Sequence, residues 1–446
     1  MLTESFITSI RAQHKSANTA IAKDVGIHLH TLSPAPKIES TFKKSSTPVN
    51  ALAANSTHIF AAQADKAVVH VYSRERGNQE ALISFPERIH SLTLVGDGVL
   101  ILGTAEGRVI LWEVYTGRQV STPAAHLQAI TCLAADQSHL ITASEDSNVN
   151  VWSIANLLSL TSVETQEPLR TLSNHRAAIT SVVIGHSAST TNICVSASKD
   201  NTCIVWDYLS ATLLRTFLLP TTPLCLALDP CDRAVYVGFE GGSLQQIDFS
   251  STAAALNPLY DAKLQDTPVQ VTKSPWTASF EAGAAHCIGL SFDGTTLLCG
   301  HASGKISRWD TAQGQQIGGE LADLNAPVTN LIMLSPFPEP RNIKALTIVK
   351  PKLGEGPYIL TAQFNGRLSK GPTPFDVAVQ GAGFPAGMLE SAISNFSQST
   401  TTSGGGNDSE KLRKENEELW KVVNEQRALQ QKTWEKYSKL KSERAP

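Results

Sequence analysis

Short segments in which apolar and polar residues alternate run through most of the chain, and tight polar turns separate them. Three of these segments align closely: "ILGTAEGRVILWEV", "ITASEDSNVNVWSI" and "VSASKDNTCIVWDY". In each, a strand of small residues leads through a turn into a β-rich strand that ends in tryptophan. Alternation with a period of two residues is typical of half-buried strands. The pattern therefore predicts a protein built from repeated β units.

The tryptophans in these three segments mark one position of a longer repeat, and weaker copies place other residues there. The series is His30, Tyr72, Trp112, Trp152, Trp206, Ile247 and Trp309, with steps of 42, 40, 40, 54, 41 and 62 residues. Four of the six steps match the spacing of about 40–45 residues that is typical of propeller blades. The two long steps contain insertions, the second of them at 250–282.

The repeat predicts an all-β fold, a seven-bladed β-propeller over residues 1–335. A four-stranded blade cannot bury both faces alone, so blades stack side by side and the ring closes. The units resemble WD-repeat blades, and the fifth keeps the literal Trp206-Asp207 dipeptide. Two more strand-like segments follow, at 326–334 and 343–351. They either complete or brace the first blade or begin an eighth, and we favour seven.

The composition changes after the repeats, which indicates two further regions. Residues 336–408 are rich in proline and glycine and end in a tract of small polar residues, typical of a flexible linker. Residues 409–446 contain no glycine, and no proline before Pro446. This composition predicts a C-terminal helix over 410–440, a rod of about 46 Å at 1.5 Å per residue.

A heptad frame gives this helix one partly apolar seam. The predicted dimerisation residues on or beside that seam are Leu412, Asn416, Leu419, Val423, Leu429, Tyr437 and Leu440. An asparagine at an a position sets the register and favours two strands. We therefore predict a coiled coil with a second copy of the chain. Pairing with another protein's helix comes second, and a solvated helix without a partner is the remaining alternative.

Blades 4 and 5 each contain a histidine, a serine, an aspartate and a tryptophan at equivalent positions. The two sets are His126, Ser144, Asp146 and Trp152, and His175, Ser198, Asp200 and Trp206. Hydrolase triads use similar residues, but periodic copies and the lack of a G-x-S-x-G elbow favour a structural role. In WD-repeat proteins, which the repeat resembles, these positions form a buried hydrogen-bond tetrad. We predict such tetrads here.

Composition and motif searches point away from several other classes of function. A formal net charge of −3 and a pI near 6.5 give no basic field of the kind that drives non-specific nucleic-acid binding. The seven cysteines form no C-x-x-C pair, so we interpret them as buried apolar residues in a reducing compartment. No signal peptide, membrane span, zinc motif or calcium loop is found, and we expect no cofactor, metal or catalytic residue.

The chain as a whole resembles one family of WD-repeat proteins. The resemblance rests on "MLTESFITSI", "SASKDNTCIVWD", "HCIGLSFDGTTLLCGHASGKISRWDTAQGQQI" and "ENEELWKVVNEQRALQQKTWEKY". It extends over almost the whole chain, and the last of these segments is its most discriminating part. The family is the fungal pre-rRNA-processing WD-repeat subunit (the IPI-three family) of the Rix–Ipi complex, which matures the large ribosomal subunit in the nucleus.

This resemblance implies a non-enzymatic scaffold in the nucleolus or nucleoplasm. Its implied partners are a second copy of the chain through the C-terminal helix, a helical-repeat protein and another subunit, the pre-60S particle, and the AAA ATPase midasin. The implied process is removal of the internal transcribed spacer 2. Alternatives are a ubiquitin-ligase adaptor, disfavoured because neither Trp206-Asp207 nor Trp309-Asp310 continues as W-D-x-R, and a chromatin or replication adaptor.

Overall fold

The computed structural model describes residues 3–11, 25–160, 166–186, 192–249, 258–261, 265, 267–336, 347–352 and 406–443. Within these ranges the strands are β1 Glu4–Ile10, β2 Val25–Ser33, β3 Lys37–Lys43, β4 Leu52–Ala54, β5 His58–Ala62, β6 Val68–Ser73, β7 Gln79–Ser84, β8 Ile89–Val95, β9 Val99–Thr104, β10 Val109–Glu113, β11 Gln119–Ser121, β12 Ile130–Ala135, β13 His139–Ser144, β14 Val149–Ser153, β15 Arg170–Leu172, β16 Ile179–Ile184, β17 Ile193–Ser198, β18 Thr202–Asp207, β19 Thr212–Leu218, β20 Pro223–Leu228, β21 Ala234–Phe239, β22 Leu244–Asp248, β23 Val269–Gln270, β24 Ala285–Leu290, β25 Thr296–His301, β26 Lys305–Asp310, β27 Gln315–Asp323 and β28 Val328–Met333. The helices are α1 Ile154–Leu157 and α2 Gly406–Glu443, and a 3₁₀ turn spans Pro258–Tyr260.

The strands form seven sheets, so the predicted seven-bladed propeller is confirmed. In strand order the blades are β28-β1-β2-β3, β4-β5-β6-β7, β8-β9-β10-β11, β12-β13-β14-β15, β16-β17-β18-β19-β23, β20-β21-β22 and β24-β25-β26-β27. All neighbouring strands are antiparallel except β23, which adds to β19 in parallel. Blade 6 has three strands in the described part of the chain, and its outer edge forms one isolated bridge between Leu244 and Trp276.

All seven repeat positions found in the sequence lie on the third strand of their blades. Six of them pack against the blade before their own. Trp152, for example, shares a cluster with Leu111 of blade 3, and Trp309 shares one with Tyr236 of blade 6. The core consists of seven such clusters, one between each pair of successive blades. A large apolar side chain recurs every blade because it fills this interface.

The ring closes through the strand that follows the seventh blade. β28 pairs antiparallel with β1, with Ile332 opposite Ile7, so segment 326–334 completes blade 1. The amide of Asn330 donates to Ser9 Oγ at 2.9 Å and to the carbonyl of Pro48 at 2.7 Å, while its oxygen accepts the N–H of Ala51 at 3.0 Å. One buried side chain therefore joins the two ends of the ring and the entry to blade 2.

Segment 343–351 does not start an eighth blade in the residues that the structure describes. Residues 347–352 lie instead along blade 3, and we call them the strap. The N–H of Val349 donates to the carbonyl of Val114 at 2.9 Å, and the N–H of Lys352 donates to the carbonyl of Gly117 at 2.9 Å. Of the alternatives left open, bracing of the first blade does not hold for residues 347–352, because their hydrogen-bonding partners belong to blade 3; residues 343–346 lie outside the described residues.

The chain divides into two compact units, Met1–Asn365 and Gly366–Pro446. The first contains the ring and the strap, which lies beyond the propeller boundary predicted at 335. The second contains α2, which starts four residues before the predicted helix and ends three residues after it. Most of the predicted linker region, 336–408, lies outside the described residues, so the three-part division remains a prediction.

Candidate functional site

Blade 4 contains a chain of hydrogen bonds that joins its tryptophan to an aspartate. The indole N–H of Trp152 donates to Thr142 Oγ1 at 3.1 Å, and this hydroxyl lies 2.8 Å from His126 Nε2. The other ring nitrogen of His126 lies 3.1 Å from Asp146 Oδ2. An indole only donates, so the hydroxyl accepts from it; the Asp146 carboxylate only accepts, so Nδ1–H of His126 donates to it and Nε2 accepts from the hydroxyl.

Blade 5 repeats this arrangement with a serine as the bridge. Trp206 Nε1 donates to Ser196 Oγ at 2.9 Å, and Ser196 Oγ lies 2.8 Å from His175 Nε2. His175 Nδ1 lies 3.3 Å from Asp200 Oδ2 and 3.0 Å from Thr202 Oγ1. The structure therefore brings the predicted histidine, aspartate and tryptophan of each blade together.

The predicted serines do not bridge these groups. Ser144 Oγ donates to the carbonyl of Gln128 at 3.1 Å, and Ser198 Oγ donates to the carbonyl of Ala177 at 2.9 Å. The reason is the strand register. Trp152 pairs opposite Leu140, so the next same-face position, residue 142, is within reach. Ser144 is four residues along the strand, about 13 Å at 3.3 Å per residue.

The strand register also explains why sequence spacing missed the bridging hydroxyls. Trp206 pairs opposite Cys194, and Ser196 follows two residues later on the same face. A hydroxyl two residues before each predicted serine was the available signal. It could be recognised only once the pairing of the two strands was known.

The aspartates in these chains also fix the loops that enter the blades. Asp146 Oδ2 accepts the N–H of Leu127 at 3.0 Å, and Asp200 Oδ2 accepts that of Arg176 at 2.8 Å. Burial alone would raise the pKa of the Asp200 carboxyl. Hydrogen bonds from His175, Thr202 and the Arg176 N–H outweigh it and hold that pKa well below the ordinary value. The charged carboxylate is therefore the form that the fold selects.

Blade 7 contains a shorter chain that the sequence analysis did not find. Trp309 Nε1 and His301 Nε2 each lie 2.8 Å from Ser307 Oγ. His301 Nδ1 is buried without a hydrogen-bond partner, and burial lowers the pKa of this histidine to about 4. In blade 1, His30 Nε2 lies 2.9 Å from Thr8 Oγ1 while its ring stacks on Phe6. These histidines are neutral parts of the core.

In blades 4 and 5 the order hydroxyl, imidazole and carboxylate is that of a hydrolase triad, but the hydroxyls are not exposed to a substrate. Thr142 and Ser196 are completely buried within their blades, and each hydroxyl lies between an indole and an imidazole. Within the described ranges no group of three or more His, Cys, Asp or Glu side chains is placed to hold a metal ion. Six of the seven cysteines are buried and Cys231 is exposed, and all are free thiols.

An asparagine reaches across the centre of the ring. Asn50, at the entry to blade 2, has a φ of 58°. Its Nδ2 donates to the carbonyl of Thr131 at 3.2 Å and of Thr180 at 3.4 Å. Those carbonyls belong to the inner strands of blades 4 and 5, so the side chain spans the space that the inner strands surround. This contact fixes three blades to one another at the ring axis.

The strap uses the tryptophan of blade 3. The indole N–H of Trp112 donates to the carbonyl of Val349 at 3.1 Å. Gly117 has a φ of 78°, and a Cβ there would lie 2.7 Å from Val349 Cγ1 and 2.8 Å from the Lys350 carbonyl oxygen. Glycine is therefore needed both for the turn and for the close approach of the strap.

The predicted dimerisation residues all lie on α2. Asn416, Leu419, Val423 and Leu429 are exposed there. The side chains of Leu412, Tyr437 and Leu440 lie outside the described residues. Coiled-coil pairing is not tested by these exposures and stays a prediction. No helix in the part of the chain that the structure describes is both long and apolar enough to cross a membrane.

Comparison with known proteins identifies the repeat. The family model described as "WD domain, G-beta repeat" matches residues 117–153 and 166–207, which cover most of blades 4 and 5. The chain is a seven-bladed β-propeller that contains WD repeats. A crystal structure of the computationally designed Ika8 protein aligns with a TM-score of 0.49 at 19% identity, over 72% of this WD-repeat chain and 93% of that one.

Homologues of this WD-repeat chain are pre-rRNA-processing proteins in fungi. Pre-rRNA-processing protein crb3/ipi3 of Schizosaccharomyces pombe is 28% identical, over 66% of this chain and 71% of that protein. Pre-rRNA-processing protein IPI3 of Yarrowia lipolytica is 29% identical, over 61% of this chain and 64% of that protein. WD repeat-containing protein 18 of Danio rerio is 27% identical, over 65% of this chain and 64% of that protein. The resemblance seen in the sequence is confirmed over 61–66% of this chain, and its extension over almost the whole chain stays a prediction. The chain spans 64–71% of the length of these relatives.

Proposed function

We propose that the chain is a non-enzymatic scaffold subunit of a nuclear complex that assembles the pre-60S ribosomal particle. The observation that carries this proposal is the name shared by its fungal relatives, pre-rRNA-processing protein. The hydrogen-bond chains of blades 4 and 5 support a scaffold, because they hold the chemically reactive side chains inside the blades. A ring of this kind supplies surface to partners.

The process we assign is removal of the internal transcribed spacer 2. Depletion of the protein should raise the abundance of large-subunit precursors that still contain this spacer, and should leave small-subunit precursors unchanged. Hybridisation with probes on either side of the spacer measures this. Normal spacer removal after depletion would contradict the assignment.

The partners we assign are a helical-repeat protein and another subunit of the same complex, the AAA ATPase midasin, and the pre-60S particle. Purification through a tag on the chain should recover large-subunit precursor RNA and midasin together. Recovery of ubiquitin-ligase subunits or histones without any pre-60S component would overturn the proposal. A fluorescent fusion should localise to the nucleolus and nucleoplasm.

We assign no strong direct nucleic-acid binding to the chain. Its formal net charge is −3, and protein–nucleic-acid affinity at physiological salt depends mainly on cations that neutralise phosphates. Purified protein should therefore show little affinity for pre-rRNA fragments at physiological salt. Tight binding that weakens steeply with added salt would contradict this.

A further inference from the structure

A small cleft lies between the outer edge of blade 6 and the turn that follows β26 in blade 7. Its walls include Gln245 of β22, the edge segment 273–276 and the turn 311–314, and its volume is about 130 Å³. Sites for small molecules usually measure about 300–1,000 Å³, whereas a cavity of about 150 Å³ holds a single benzene ring. The cleft, which we call the blade 6–7 cleft, therefore has room for one side chain.

Gln245 provides an acceptor that lacks a donor. Its side chain is 1% exposed, and its Nε2 donates to the carbonyl of Lys273 at 2.7 Å, while Oε1 is buried and has no hydrogen-bond partner. Reversing the amide would place its oxygen against the Lys273 carbonyl, and both of those atoms only accept. The contact therefore fixes Oε1 as the unpaired atom. Buried acceptors are almost always paired with a donor, and Gln245 lines the cleft through which one can enter.

Trp276 provides the complementary group, a donor without an acceptor. Its main chain exchanges two hydrogen bonds with Leu244, at 2.9 and 2.7 Å, and its ring stacks on Trp309 with centroids 5.9 Å apart. In the part of the chain that the structure describes, the indole N–H makes no hydrogen bond. Gly314 lies against this group, since a Cβ there would come within 2.6 Å of Nε1. Glycine at this position therefore keeps the indole N–H open to the cleft.

The charges beside the cleft are already compensated. The ammonium of Lys273 lies 2.5 Å from Asp248 Oδ2, and Gln246 Nε2 donates to Asp248 Oδ1 at 2.7 Å. A carboxylate ligand could accept from the indole but could not donate to Gln245, and an ammonium ligand could donate but could not accept. A primary amide does both through neighbouring atoms. The two unpaired groups therefore select a neutral amide.

The aromatic contacts of Trp276 disfavour a nucleobase as the ligand. Unpaired bases bind proteins largely by stacking on aromatic side chains. The ring of Trp276 already stacks on Trp309, and its centroid lies 6.1 Å from that of Tyr236. What this ring offers to a ligand is its N–H edge, so recognition in the cleft depends on hydrogen bonds.

We propose that the blade 6–7 cleft binds the side-chain amide of an asparagine or glutamine from a partner protein. The amide N–H of the ligand donates to Gln245 Oε1, and its carbonyl accepts the indole N–H of Trp276. This inference deepens the proposed scaffold function and rests on it, because it names one site at which the ring holds a partner.

Photocrosslinking in the full-length protein tests the proposal. A diazirine amino acid replaces Ser274 in one variant and Gln313 in another, both of which are exposed and line the cleft. Cells are irradiated, pre-60S particles are purified, and the crosslinked peptides are sequenced. Both positions should yield the same segment of another protein, with an asparagine or glutamine at or beside the point of attachment.

The matched control carries the diazirine amino acid at Arg76 of blade 2. Arg76 precedes Gly77 as Gln313 precedes Gly314, and each glycine N–H bonds to the carbonyl four residues earlier. A Cβ at Gly77 would meet nothing within 4 Å, so this turn has no facing wall. The control should lack the crosslinked product.

Several outcomes would overturn the proposal. They are the absence of a crosslink from both positions in particles that contain the chain, and the same product from the control. A crosslink to RNA, to a second copy of the chain, to its own residues, or to a segment without asparagine or glutamine at the attachment would also overturn it. Failure of the scaffold function looks different, since wild-type protein would then be missing from pre-60S particles altogether.

Substitutions that keep the shape of the ligand give an independent measure. Changing the crosslinked asparagine to aspartate, or glutamine to glutamate, removes the donor that Gln245 Oε1 needs, so co-purification of the partner should fall at least about tenfold. The same change at another exposed asparagine or glutamine of the partner should have no effect. In the chain, Trp276→Phe removes the indole N–H and should act in the same direction, with thermal unfolding as the check that the ring stays folded. Undiminished co-purification of the acidic variant would show that the cleft does not recognise an amide.

Discussion

The indole N–H of Trp112 donates to the main-chain carbonyl of Val349, 237 residues further along the chain, at 3.1 Å. In blades 4, 5 and 7 the equivalent indole donates to a hydroxyl within its own blade. Blade 3 therefore uses the strap as the acceptor that blades 4, 5 and 7 supply internally. The tryptophan of this repeat thus anchors a segment that follows the ring.

Trp112→Phe should loosen the strap and weaken the ring modestly. The change removes the indole N–H and leaves the Val349 carbonyl without this donor. An acceptor left unpaired in this way lowers the free energy of unfolding by about 1–3 kcal/mol when it is buried. Hydrogen exchange should quicken at the amides of Val349 and Lys352, whose N–H groups bond to blade 3. Trp309→Phe serves as the control, because its indole bonds to Ser307. Equal exchange at the strap in wild type and in Trp112→Phe would contradict the role of this bond.

Thr142→Val should destabilise the protein by about 2–4 kcal/mol, because it leaves both Trp152 Nε1 and His126 Nε2 buried without their shared partner. Thr142→Ser keeps the hydroxyl and should cost clearly less. Denaturant unfolding of the three proteins measures the difference. If Thr142→Ser, which keeps the hydroxyl, were as destabilising as Thr142→Val, loss of the two hydrogen bonds would not explain the cost of the valine substitution.

Asp200→Ala should lower the free energy of unfolding by about 1–3 kcal/mol, since the N–H of Arg176 and the ring of His175 lose their acceptor. The carboxyl's pKa is lower in the folded than in the unfolded state, so its contribution is complete above about pH 4 and is lost as the pH falls below that value. The difference in free energy of unfolding between wild type and variant should therefore become smaller as the solution is acidified. A gap independent of pH would show that the charge of Asp200 contributes nothing.

Acid should also destabilise the ring through its buried histidines. Burial lowers the pKa of His28 to about 4, and burial together with the charge of His28 lowers that of His30 to about 3. Below about pH 6.5 the unfolded chain binds protons at these histidines and the folded chain does not. The free energy of unfolding is therefore unaffected by them above that pH and falls as the pH drops towards 4. Each histidine accounts for up to about 2–3 kcal/mol by pH 4.5.

His301→Gln isolates one of these contributions, since burial lowers the pKa of His301 to about 4 as well. The variant should be less stable than wild type at pH 7 and should lose less stability between pH 6.5 and 4.5. Denaturation midpoints at several pH values measure both effects. A parallel loss in the two proteins would mean that His301 takes no part in the acid response.

Removal of residues 410–446 should convert a dimer into a monomer in light scattering while the ring stays folded. Leu419→Asp should act in the same direction, because it places a charge at a d position of the predicted seam. Lys421→Asp changes the opposite side of the same helix and should leave the dimer intact. If the truncated protein still has the mass of a dimer, the coiled-coil prediction is wrong.

The number of blades could be predicted because each blade repeats one local pattern. A turn followed six residues later by Trp112, Trp152 or Trp206 is visible in sequence, and the clusters between blades explain why a large residue recurs there. The bridging roles of Thr142 and Ser196 could not be predicted in the same way. They depend on which residues face each other across two strands, and spacing along one strand does not determine that.

Long-range contacts set the other limit on what could be predicted. The strap's attachment to Trp112 and the crossing of the ring axis by Asn50 join residues far apart in sequence, and their local sequence does not indicate the partner. The segment at 326–334 was recognisable as a strand, but its place beside β1 depended on closure of the whole ring. The spacer role, midasin and the dimer remain predictions that biochemical experiments must test.

The pairing of β28 with β1 has a consequence for synthesis. The first blade cannot acquire its innermost strand until residue 333 has left the ribosome's exit tunnel. For most of translation the nascent chain therefore exposes the edge of β1 and the unfilled side of Phe6, both prone to association with other unfinished chains. That edge stays unpaired for the time needed to add the remaining blades, and a product truncated before β28 would carry it permanently.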